Sequence, residues 1–335
     1  MVLVKRFKYS SKPELKLNLV QKQTKQKVIE KINNKKYAFE SINQCPICKN
    51  KDFAVLAEKD RYGFRLNTVV CNNCGLVFTN PRFNEKSYNQ FYKKDYRNLY
   101  IGKPGRFDVL FDSQYKHGKK IYDFITKYLP LLEGSVVEVG VGSGGILSYF
   151  KDKRFNVRGV DFDESYLNYG RQKGLDLFFG NIDELIKRKT KADLVIYSHV
   201  FEHILDLKKE LDKIKKILNK DGYIYIEVPG IKNLEKNYEL DFLKYIQNAH
   251  VYNFSLASLT NILKQNGFEL IYGDEDVKAV FRLAKNKKAR TEDYIKDYNA
   301  VIYYLLNLDR KRRFRFLNKN YLKGKASDFK KKILR

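Results

Sequence analysis

The sequence is poor in several residue types: among its 335 residues it has no tryptophan, one methionine, six prolines, four cysteines and four histidines. It has no uncharged apolar run of about 18 or more residues, which a membrane-spanning helix would need. Its first residues, MVLVKRFKYSSK, lack the apolar core and the small-residue cleavage site of a signal peptide. We therefore expect a cytoplasmic protein. At 43% hydrophobic residues, it is long enough for one sizeable α/β domain and a small accessory domain.

Negative charge is also scarce, because 66 Lys and Arg face 39 Asp and Glu, for a net charge of +27. Residues 278–335 carry 19 Lys and Arg against 5 Asp and Glu, about half of the whole excess. Such a balance favours a polyanionic partner such as nucleic acid or an anionic membrane. The abundance of Lys, Asn, Ile and Tyr is equally what an AT-rich genome produces. The charge alone therefore leaves both explanations open.

The composition changes along the chain and predicts five regions. Residues 1–40 are polar and show little apolar periodicity, which predicts a mobile arm. Residues 41–82 hold the cysteines, and residues 83–112 form a Tyr-rich connector that either acts as a lid or only packs. We predict the main domain over residues 113–284 and a basic helical extension over residues 285–335.

Strand-like and helix-like segments alternate through the main domain. The strand-like runs are SVVEVG 135–140, NVRGVD 156–161, LDLFFG 175–180, DLVIYS 193–198 and GYIYIEV 222–228. This alternation predicts βαβ units around a parallel sheet. Apolar spacing predicts helices over 207–222 and 255–267, the second capped by Ser255, and the runs 267–273 and 277–284 predict a closing hairpin.

All four cysteines fall in two C-x2-C pairs, Cys45 with Cys48 and Cys71 with Cys74. Each pair can form a tight knuckle, and two knuckles supply four thiolates to one tetrahedral Zn²⁺. A closed shell of four thiolates leaves no position for water or substrate, so the predicted zinc is structural and contributes folding energy. An iron-bound form or a redox dithiol pair is the alternative.

A glycine-rich loop follows the first strand of the main domain. In VVEVGVGSGG, Glu138 stands near the end of the strand, and Gly140, Gly142 and Gly144 lead into a helix. Parallel sheets bind ligands at this edge, where glycines allow close approach to the backbone. The loop alone is ambiguous, because Gly140, Gly142 and Gly145 also satisfy the dinucleotide-binding pattern G-x-G-x-x-G.

The wider pattern resembles the class I S-adenosylmethionine-dependent methyltransferases. VVEVGVGSGG resembles their motif I, E/D-x-G-x-G-x-G, and YSHVFEHILD at 197–206 resembles their strand-four motif. LNKDGYIYIEVP at 218–229 and HVYNFSLASLTNILKQNGFELI at 250–271 resemble strand five and the closing helix with strand six. The resemblance covers about residues 135–275 and implies a Rossmann-like, seven-stranded α/β sheet. A Rossmann domain for another nucleotide, or a degenerate methyltransferase, is the alternative.

The same resemblance implies a set of cofactor contacts. Glu138 would serve the amino end of S-adenosylmethionine, Asp161 would accept bonds from both ribose hydroxyls, and Phe162 would pack on the adenine. Asn181, or Asp183 in its place, would address the adenine amino group. The complete predicted set is Glu138, Gly140, Gly142, Gly144, Asp161, Phe162, Asn181, Ile182, Asp183 and Ser198.

The cysteine module adds an indication of the acceptor. CNNCGLVFTNPR at 71–82 resembles the zinc-ribbon prefix of bacterial methyltransferases that modify sugars or surface polysaccharides. The deoxysugar C-methyltransferases share this prefix but continue into a further C-terminal domain, for which this chain is too short after its last strand. We therefore expect O-methylation of a saccharide that is nucleotide-, lipid- or polysaccharide-linked. The competing hypotheses are an RNA-modifying enzyme, although no N/D-P-P-Y signature follows strand four, and a non-catalytic cofactor-binding protein.

Methylation of a hydroxyl requires a group that takes its proton. The candidates are His199, Glu202 and His203 after strand four and His250 after strand five. A histidine suits this role at cellular pH, because its reference pKa is near 6.5. Alternatively, the Glu-His pair only orders its loop.

The basic extension contains VIYYLLNLDRKRRFRFLNK at 301–319, in which aromatic and basic residues are neighbours. On a helix, this segment could lie on an anionic membrane surface or hold a polyanionic acceptor. It also suits RNA. The remaining interpretation is a helix packed on the sheet.

Overall fold

The computed structural model describes residues 2–102, 106–129, 133–285 and 294–314. The chain divides into two compact units. The first unit comprises the described residues of Met1–Lys103, Pro229–Ser258 and Tyr294–Arg335, and the second those of Pro104–Val228 and Leu259–Asp293.

The strands are β1 Phe39–Glu40, β2 Phe53–Lys59, β3 Arg65–Cys71, β4 Val77–Thr79, β5 Arg82–Phe83, β6 Ser135–Val139, β7 Asn156–Asp161, β8 Asp176–Phe179, β9 Ala192–Ser198, β10 Leu218–Glu227, β11 Tyr252–Asn253, β12 Phe268–Gly273 and β13 Lys278–Leu283.

The α-helices are α1 Leu19–Asn33, α2 Glu85–Phe91, α3 Arg97–Tyr100, α4 Phe107–Thr126, α5 Gly145–Asp152, α6 Glu164–Gln172, α7 Ile182–Lys187, α8 Leu207–Ile217, α9 Phe242–Tyr245, α10 Leu256–Gln265 and α11 Tyr298–Arg313. Short 3-10 helices cover Lys5–Phe7 and Phe201–His203, and a π-helix covers Tyr92–Tyr96.

The second unit is built on one seven-stranded sheet in the order β12-β13-β10-β9-β6-β7-β8. The five strands from β10 to β8 run parallel, whereas β13 is antiparallel to both β10 and β12. The sheet confirms the prediction of a largely parallel α/β fold with seven strands and a closing hairpin.

Apolar residues on both faces of the sheet form the core of this unit. In β6, Val136, Val137 and Val139 are all buried, as expected for a strand covered by helices on both sides. Helix α4 adds Ile121 and Ile125 to the same hydrophobic cluster. The sheet and α4 therefore bury apolar residues in one core.

Local pattern and structure differ at one element boundary. The helix predicted over 207–222 ends at Ile217, and β10 begins at Leu218. Leu218 is buried and pairs with Ala192 of β9. Pairing with a neighbouring strand thus overrides the helical spacing. In α10, by contrast, the Ser258 amide donates to Ser255 Oγ at 3.2 Å, as expected for the predicted cap.

The first unit contains an antiparallel sheet in the order β11-β4-β3-β2 and the separate pair β1-β5. Its hydrophobic cluster draws on all three chain segments, with Val70 and Val77 from the sheet, Leu243 from α9, and Val301 and Leu305 from α11. The cysteine module is therefore one part of a larger unit.

Residues 1–40, expected to be a mobile arm, contain regular structure. Asn18 and Gln21 form a capping box at the start of α1, and Phe7 and Val28 are buried. These apolar residues are too widely spaced to give an amphipathic pattern, yet each inserts into the first unit. Contacts from distant segments therefore order a stretch whose local composition favours disorder.

The described part of the C-terminal extension also packs into the first unit. Val301, Leu305 and Leu308 of α11 are buried in its cluster, whereas Tyr303 and Leu306 of the same helix are exposed. Residues 286–293 and 315–335 of the predicted extension lie outside the described residues. Within the described ranges, no helix is both long and apolar enough to cross a membrane.

Candidate functional site

The glycine-rich loop after β6 has a backbone that requires glycine. Gly140, Gly142 and Gly144 have φ values of +77°, +56° and +88°, which side-chain-bearing residues rarely adopt. The Gly140 amide donates to the Val160 carbonyl of β7 at 2.8 Å. The loop is therefore held against the end of the neighbouring strand. Its three glycines have no side chains that would cover the backbone.

Asp161, at the end of β7, fixes this loop. Its Oδ2 accepts a hydrogen bond from the Gly142 amide at 2.9 Å, and its Oδ1 accepts one from the Asp163 amide at 2.9 Å. The carboxylate thus positions two backbone turns at the ligand-binding edge of the sheet. Its bonds to ribose hydroxyls stay a prediction.

Glu138 has a buried carboxyl group with one oxygen atom that lacks a hydrogen-bond partner among the described residues. Its side chain is 1% exposed, and its Oε2 has no hydrogen-bond partner among the described residues. Burial, and secondly the charge of Asp161, raise the pKa of Glu138 well above its usual range. An orphaned buried carboxyl oxygen is costly in the absence of a donor. Together with the glycine loop beside it, this oxygen fits the amino end of S-adenosylmethionine.

Helix α4 supplies a loop contact that sequence reasoning missed. Gln114 donates from Nε2 to the Val141 carbonyl at 3.1 Å and accepts at Oε1 from Ser143 Oγ at 2.8 Å. A Cβ on Gly145 would lie 2.1 Å from the Phe111 carbonyl oxygen. Gly145, which made the loop fit a dinucleotide pattern, is therefore required by the packing of α4. The glycine-rich motif gives no indication of either contact, because α4 lies outside the motif.

Phe162 follows β7 and is 64% exposed. Its ring meets that of Phe179 edge-on, with the centroids 6.0 Å apart. The two rings provide an apolar surface at the end of β7 and β8. The adenine contact of Phe162 stays a prediction.

The residues predicted to read the adenine amino group already make contacts within the protein. Asn181 Oδ1 accepts from the Asp183 amide at 2.9 Å and so caps α7. Asp183 Oδ2 pairs with Lys213 Nζ at 2.6 Å, and Ile182 is fully buried. An adenine amino group donates and needs an acceptor, and the cap already uses Asn181 Oδ1 as an acceptor. The contact of Asn181 with the adenine stays a prediction.

Two of the predicted catalytic residues after β9, Glu202 and His203, lie close together. Ser198 ends β9, and the 3-10 helix that follows holds Glu202 and His203, both buried. His203 Nε2 lies 3.7 Å from Glu202 Oε1. Burial raises the pKa of Glu202 to about 8, so this carboxyl group is protonated at neutral pH. The fourth candidate, His250, belongs to the first unit, where it is buried and hydrogen-bonded to Gln247 Nε2 at 2.6 Å.

His199 is grouped with two residues that the sequence did not single out. His117 Nε2 on α4 lies 2.7 Å from Glu227 Oε2 at the end of β10, and the rings of His117 and His199 stack with centroids 6.3 Å apart. The His199 amide donates to the Glu227 carbonyl at 2.8 Å. Burial opposes ionisation of Glu227, but the hydrogen bond to His117 and the charges around it hold its pKa below the usual range.

In the first unit, the four cysteines converge as their spacing predicted. Cys45 Sγ lies 3.4 Å from Cys74 Sγ, Cys48 Sγ lies 3.4 Å from Cys71 Sγ, and all four sulfur atoms lie within 4.8 Å of one another. All four are free thiols. Four sulfur atoms at this spacing fit the shell of one tetrahedral ion.

The first unit also contains buried hydrogen-bonding groups that are unpaired. The Arg61 amide donates to the Ile246 carbonyl at 3.0 Å, and the Asn248 amide donates to Asp60 Oδ2 at 3.1 Å, so the two segments lie side by side. Among the described residues, Arg61 Nε, Gln247 Oε1 and Asn248 Oδ1 have no hydrogen-bond partner. We refer to Arg61, Gln247 and Asn248 as the polar cluster.

Known proteins that are similar to this chain include several methyltransferases. A family model described as a methyltransferase domain matches residues 111–272. The C-methyltransferase NovU of Streptomyces niveus is 25% identical over 69% of this chain and 57% of its own length, and a methyltransferase of Staphylococcus carnosus is 30% identical over 37% and 59%. The chain thus spans less than two thirds of each of these relatives. A solved S-adenosylmethionine-dependent methyltransferase from Clostridium acetobutylicum is 13% identical, with a TM-score of 0.40 over 59% of this chain and 99% of its own.

Proposed function

We propose that this chain, whose residues 111–272 match a methyltransferase-domain model, transfers a methyl group from S-adenosylmethionine to a hydroxyl group of a saccharide or sugar derivative. The observation that carries the acceptor class is the polar cluster of the first unit. The donor class rests on the glycine loop and Glu138.

On the donor side, S-adenosylmethionine supplies an electrophilic methyl group when bound. The backbone of Gly140, Gly142 and Gly144 lets the cofactor approach the sheet edge. Glu138 offers its orphaned oxygen to the amino end, and the exposed ring of Phe162 offers a face to the adenine. Ser198, at the end of β9, completes the set proposed along this edge.

On the acceptor side, the polar cluster suits a molecule rich in hydroxyl groups. Arg61 provides a donor, whereas Gln247 and Asn248 provide acceptors, and all three are buried. A site built from unpaired polar groups rejects ligands that cannot satisfy them. The guanidinium of Arg61 also suits a phosphate or carboxylate, which favours a nucleotide- or lipid-linked sugar.

The proton of the acceptor hydroxyl requires a base. Glu202 already holds a proton at neutral pH, so it is unsuited to this role there. We therefore propose His203 as the base, with His250 and His199 as the alternatives. Glu202 would then orient His203.

We further propose that Cys45, Cys48, Cys71 and Cys74 hold a structural Zn²⁺. Their sulfur atoms would complete its tetrahedral shell and leave no position for a substrate. Four free thiols suit a reducing compartment such as the cytoplasm. In this proposal the zinc has no part in the reaction.

A second candidate function is methylation of a carbon atom, because NovU is a C-methyltransferase and is 25% identical over 69% of the chain. The RNA-modifying hypothesis has no comparable support. In the described part of the basic extension, Lys311 pairs with Glu235 and Arg313 with Asp309, so those charges already have protein partners.

The test is to incubate the full chain with S-adenosylmethionine and a panel of nucleotide sugars, lipid-linked sugars and RNA. Mass analysis should find one added methylene in a sugar, and the carbon NMR shift of the new methyl should be that of a methyl ether. A methyl on carbon would establish the second candidate, and a methylated RNA would overturn the saccharide proposal. Cofactor binding without any product would support a non-catalytic role.

Variants then separate the proposed roles. His203→Gln should lower kcat by about 100-fold, within the range typical of a lost general base, with unchanged affinity for the cofactor. Lys208→Gln, exposed on α8, is the matched control and should behave as the parent. Unchanged turnover in His203→Gln would remove His203 from the mechanism.

A further inference from the structure

We propose that His117, His199 and Glu227 form a second metal site, which binds a divalent transition-metal ion independently of the four cysteines. The proposal goes beyond methyl transfer, because displacement at a sulfonium methyl group needs no metal. All three residues belong to the second unit.

The ligand atoms already lie near one another. One ring nitrogen of each histidine and a carboxylate oxygen of Glu227 are all within 4.8 Å of each other. The closest pair, His117 Nε2 and Glu227 Oε2, is 2.7 Å apart. Ligand distances of about 2.1 Å place neighbouring ligand atoms roughly 3 Å apart. The pair therefore has to open only slightly, and the exposed His199 side chain can turn to complete the set.

The donor set is of a kind that transition metals prefer. Two imidazoles and one carboxylate bind zinc in catalytic sites and iron in facial triads, in both cases with further positions open. The carboxylate of Glu227 would offset part of the charge of the ion.

The surroundings orient the ligands. Tyr225 OH donates to Glu227 Oε2 at 3.2 Å, which is the type of outer contact that fixes a ligating carboxylate. His199 has a φ of +56°, a conformation that costs energy in a residue other than glycine and often marks a functional position. Lys278 lies opposite Glu227 in the sheet, but its Nζ pairs with Asp276 Oδ2 at 2.9 Å.

The proposed site lies at the surface of the second unit, where two of its ligands are accessible. Glu227 and the residue before His199 end two neighbouring parallel strands, so the cluster lies at the edge of the sheet where such folds bind ligands. His199 is exposed and His117 is partly exposed. An ion here would be bounded by protein on one side and open to solvent on the other.

The test counts metal ions on the full chain. Metal-free protein is titrated with Co²⁺, for which thiolate ligands give an intense charge-transfer band and nitrogen and oxygen ligands give only weak bands. The parent chain should bind two equivalents, of which only one contributes to the charge-transfer band. Calorimetry with Zn²⁺ on protein whose cysteines are already loaded should show one further equivalent.

Two variants locate the second ion. His117→Ala and His199→Ala should each weaken the second equivalent by at least about 10-fold, a loss typical of damaged metal sites, while the thiolate band is kept. Because His199 is exposed, its variant should fold even if His117→Ala does not. Lys119→Ala, exposed on the same helix as His117, is the matched control and should keep both equivalents.

Three outcomes would overturn the proposal. The parent chain could bind only the thiolate-coordinated ion. The second equivalent could survive in both histidine variants. It could also be lost in His203→Asn and kept in His199→Ala, which would place the ion elsewhere. Cys48→Ser should weaken the thiolate band, because one of four thiolates is lost, and should leave the second equivalent unchanged, which separates the two sites.

Discussion

The two units of the molecule differ in how the residues of their candidate sites are brought together. In the second unit, a continuous buried sheet carries a loop whose residues are consecutive from Glu138 to Gly145. In the first unit, three chain segments meet around small antiparallel strands. Its four thiols come from the segment Met1–Lys103, whereas the polar cluster combines Arg61 of that segment with Gln247 and Asn248 of Pro229–Ser258. A large apolar core stabilises the second unit. The first unit, if the proposed zinc is bound, depends in addition on a metal cross-link.

The sharpest test of this contrast removes one thiol. Cys71→Ser should abolish zinc binding and unfold the sheet of the first unit, because a structural zinc is worth on the order of 10 kcal/mol in small domains. Hydrogen exchange should show lost protection in β3 and retained protection in β6. This would be the largest effect among the changes considered.

Asn72→Ser is the matched control, since Asn72 is exposed within the same knuckle and supplies no thiol. It should leave protection in β3 unchanged. If β3 stays protected in Cys71→Ser with no metal bound, the first unit does not depend on zinc and the contrast between the units fails.

A smaller effect is expected from a buried carboxyl group of the second unit. The folded protein raises the pKa of Glu202 to about 8, so the folded state keeps a proton that the unfolded state releases near its ordinary pKa of about 4.3. Stability is therefore lost as the pH rises through this window. Glu202→Gln should match the parent below about pH 4 and exceed it by a few kcal/mol above about pH 8, at about 1.4 kcal/mol for each unit of pKa shift.

Urea unfolding at several pH values measures this difference, with Glu164→Gln as the control because Glu164 is exposed on α6. A difference between Glu202→Gln and the parent that is independent of pH would mean that Glu202 is ionised in the folded protein. Its proposed role beside His203 would then need revision.

The smallest effect distinguishes two glycines of the second unit. Gly145→Ala should destabilise this unit by about 2 kcal/mol through overpacking, because its Cβ would meet the Phe111 carbonyl. At Gly267 no atom lies within 4 Å of an added Cβ, but φ is +82°. Gly267→Ala should therefore cost only about 1 kcal/mol of backbone strain. Equal losses in thermal or urea unfolding would show that packing against α4 does not explain Gly145.

Much of the second unit was predictable because its signals are local. Strand periodicity and the glycine motif lie within short stretches, so the parallel sheet and the closing hairpin were expected from residues 135–284. The boundary between α8 and β10 at Leu218 was not predicted, because it depends on the pairing of Leu218 with Ala192 in β9. Gln114 and His117 were missed for a related reason: α4 precedes the motif and reaches the loop only through packing.

The first unit was less predictable because its order comes from distant segments. The C-x2-C pairs predicted that four thiols would converge, because each knuckle is formed by residues that are close in sequence. No local pattern placed Phe7, Val28 and Val301 in the same unit. No local pattern indicated that Arg61 would lie beside Gln247 and Asn248, or that each of the three would have a buried polar atom without a partner among the described residues.

The sequence by itself thus determined the fold class, the donor loop and the thiol set, because these depend on the spacing of neighbouring residues. Tertiary structure alone decided that the carboxyl groups of Glu138 and Glu202 are buried and hold raised pKa values. It also decided that His117 and Glu227 lie beside His199. Desolvation and proximity of this kind depend on which distant segments pack together, and no local spacing records them.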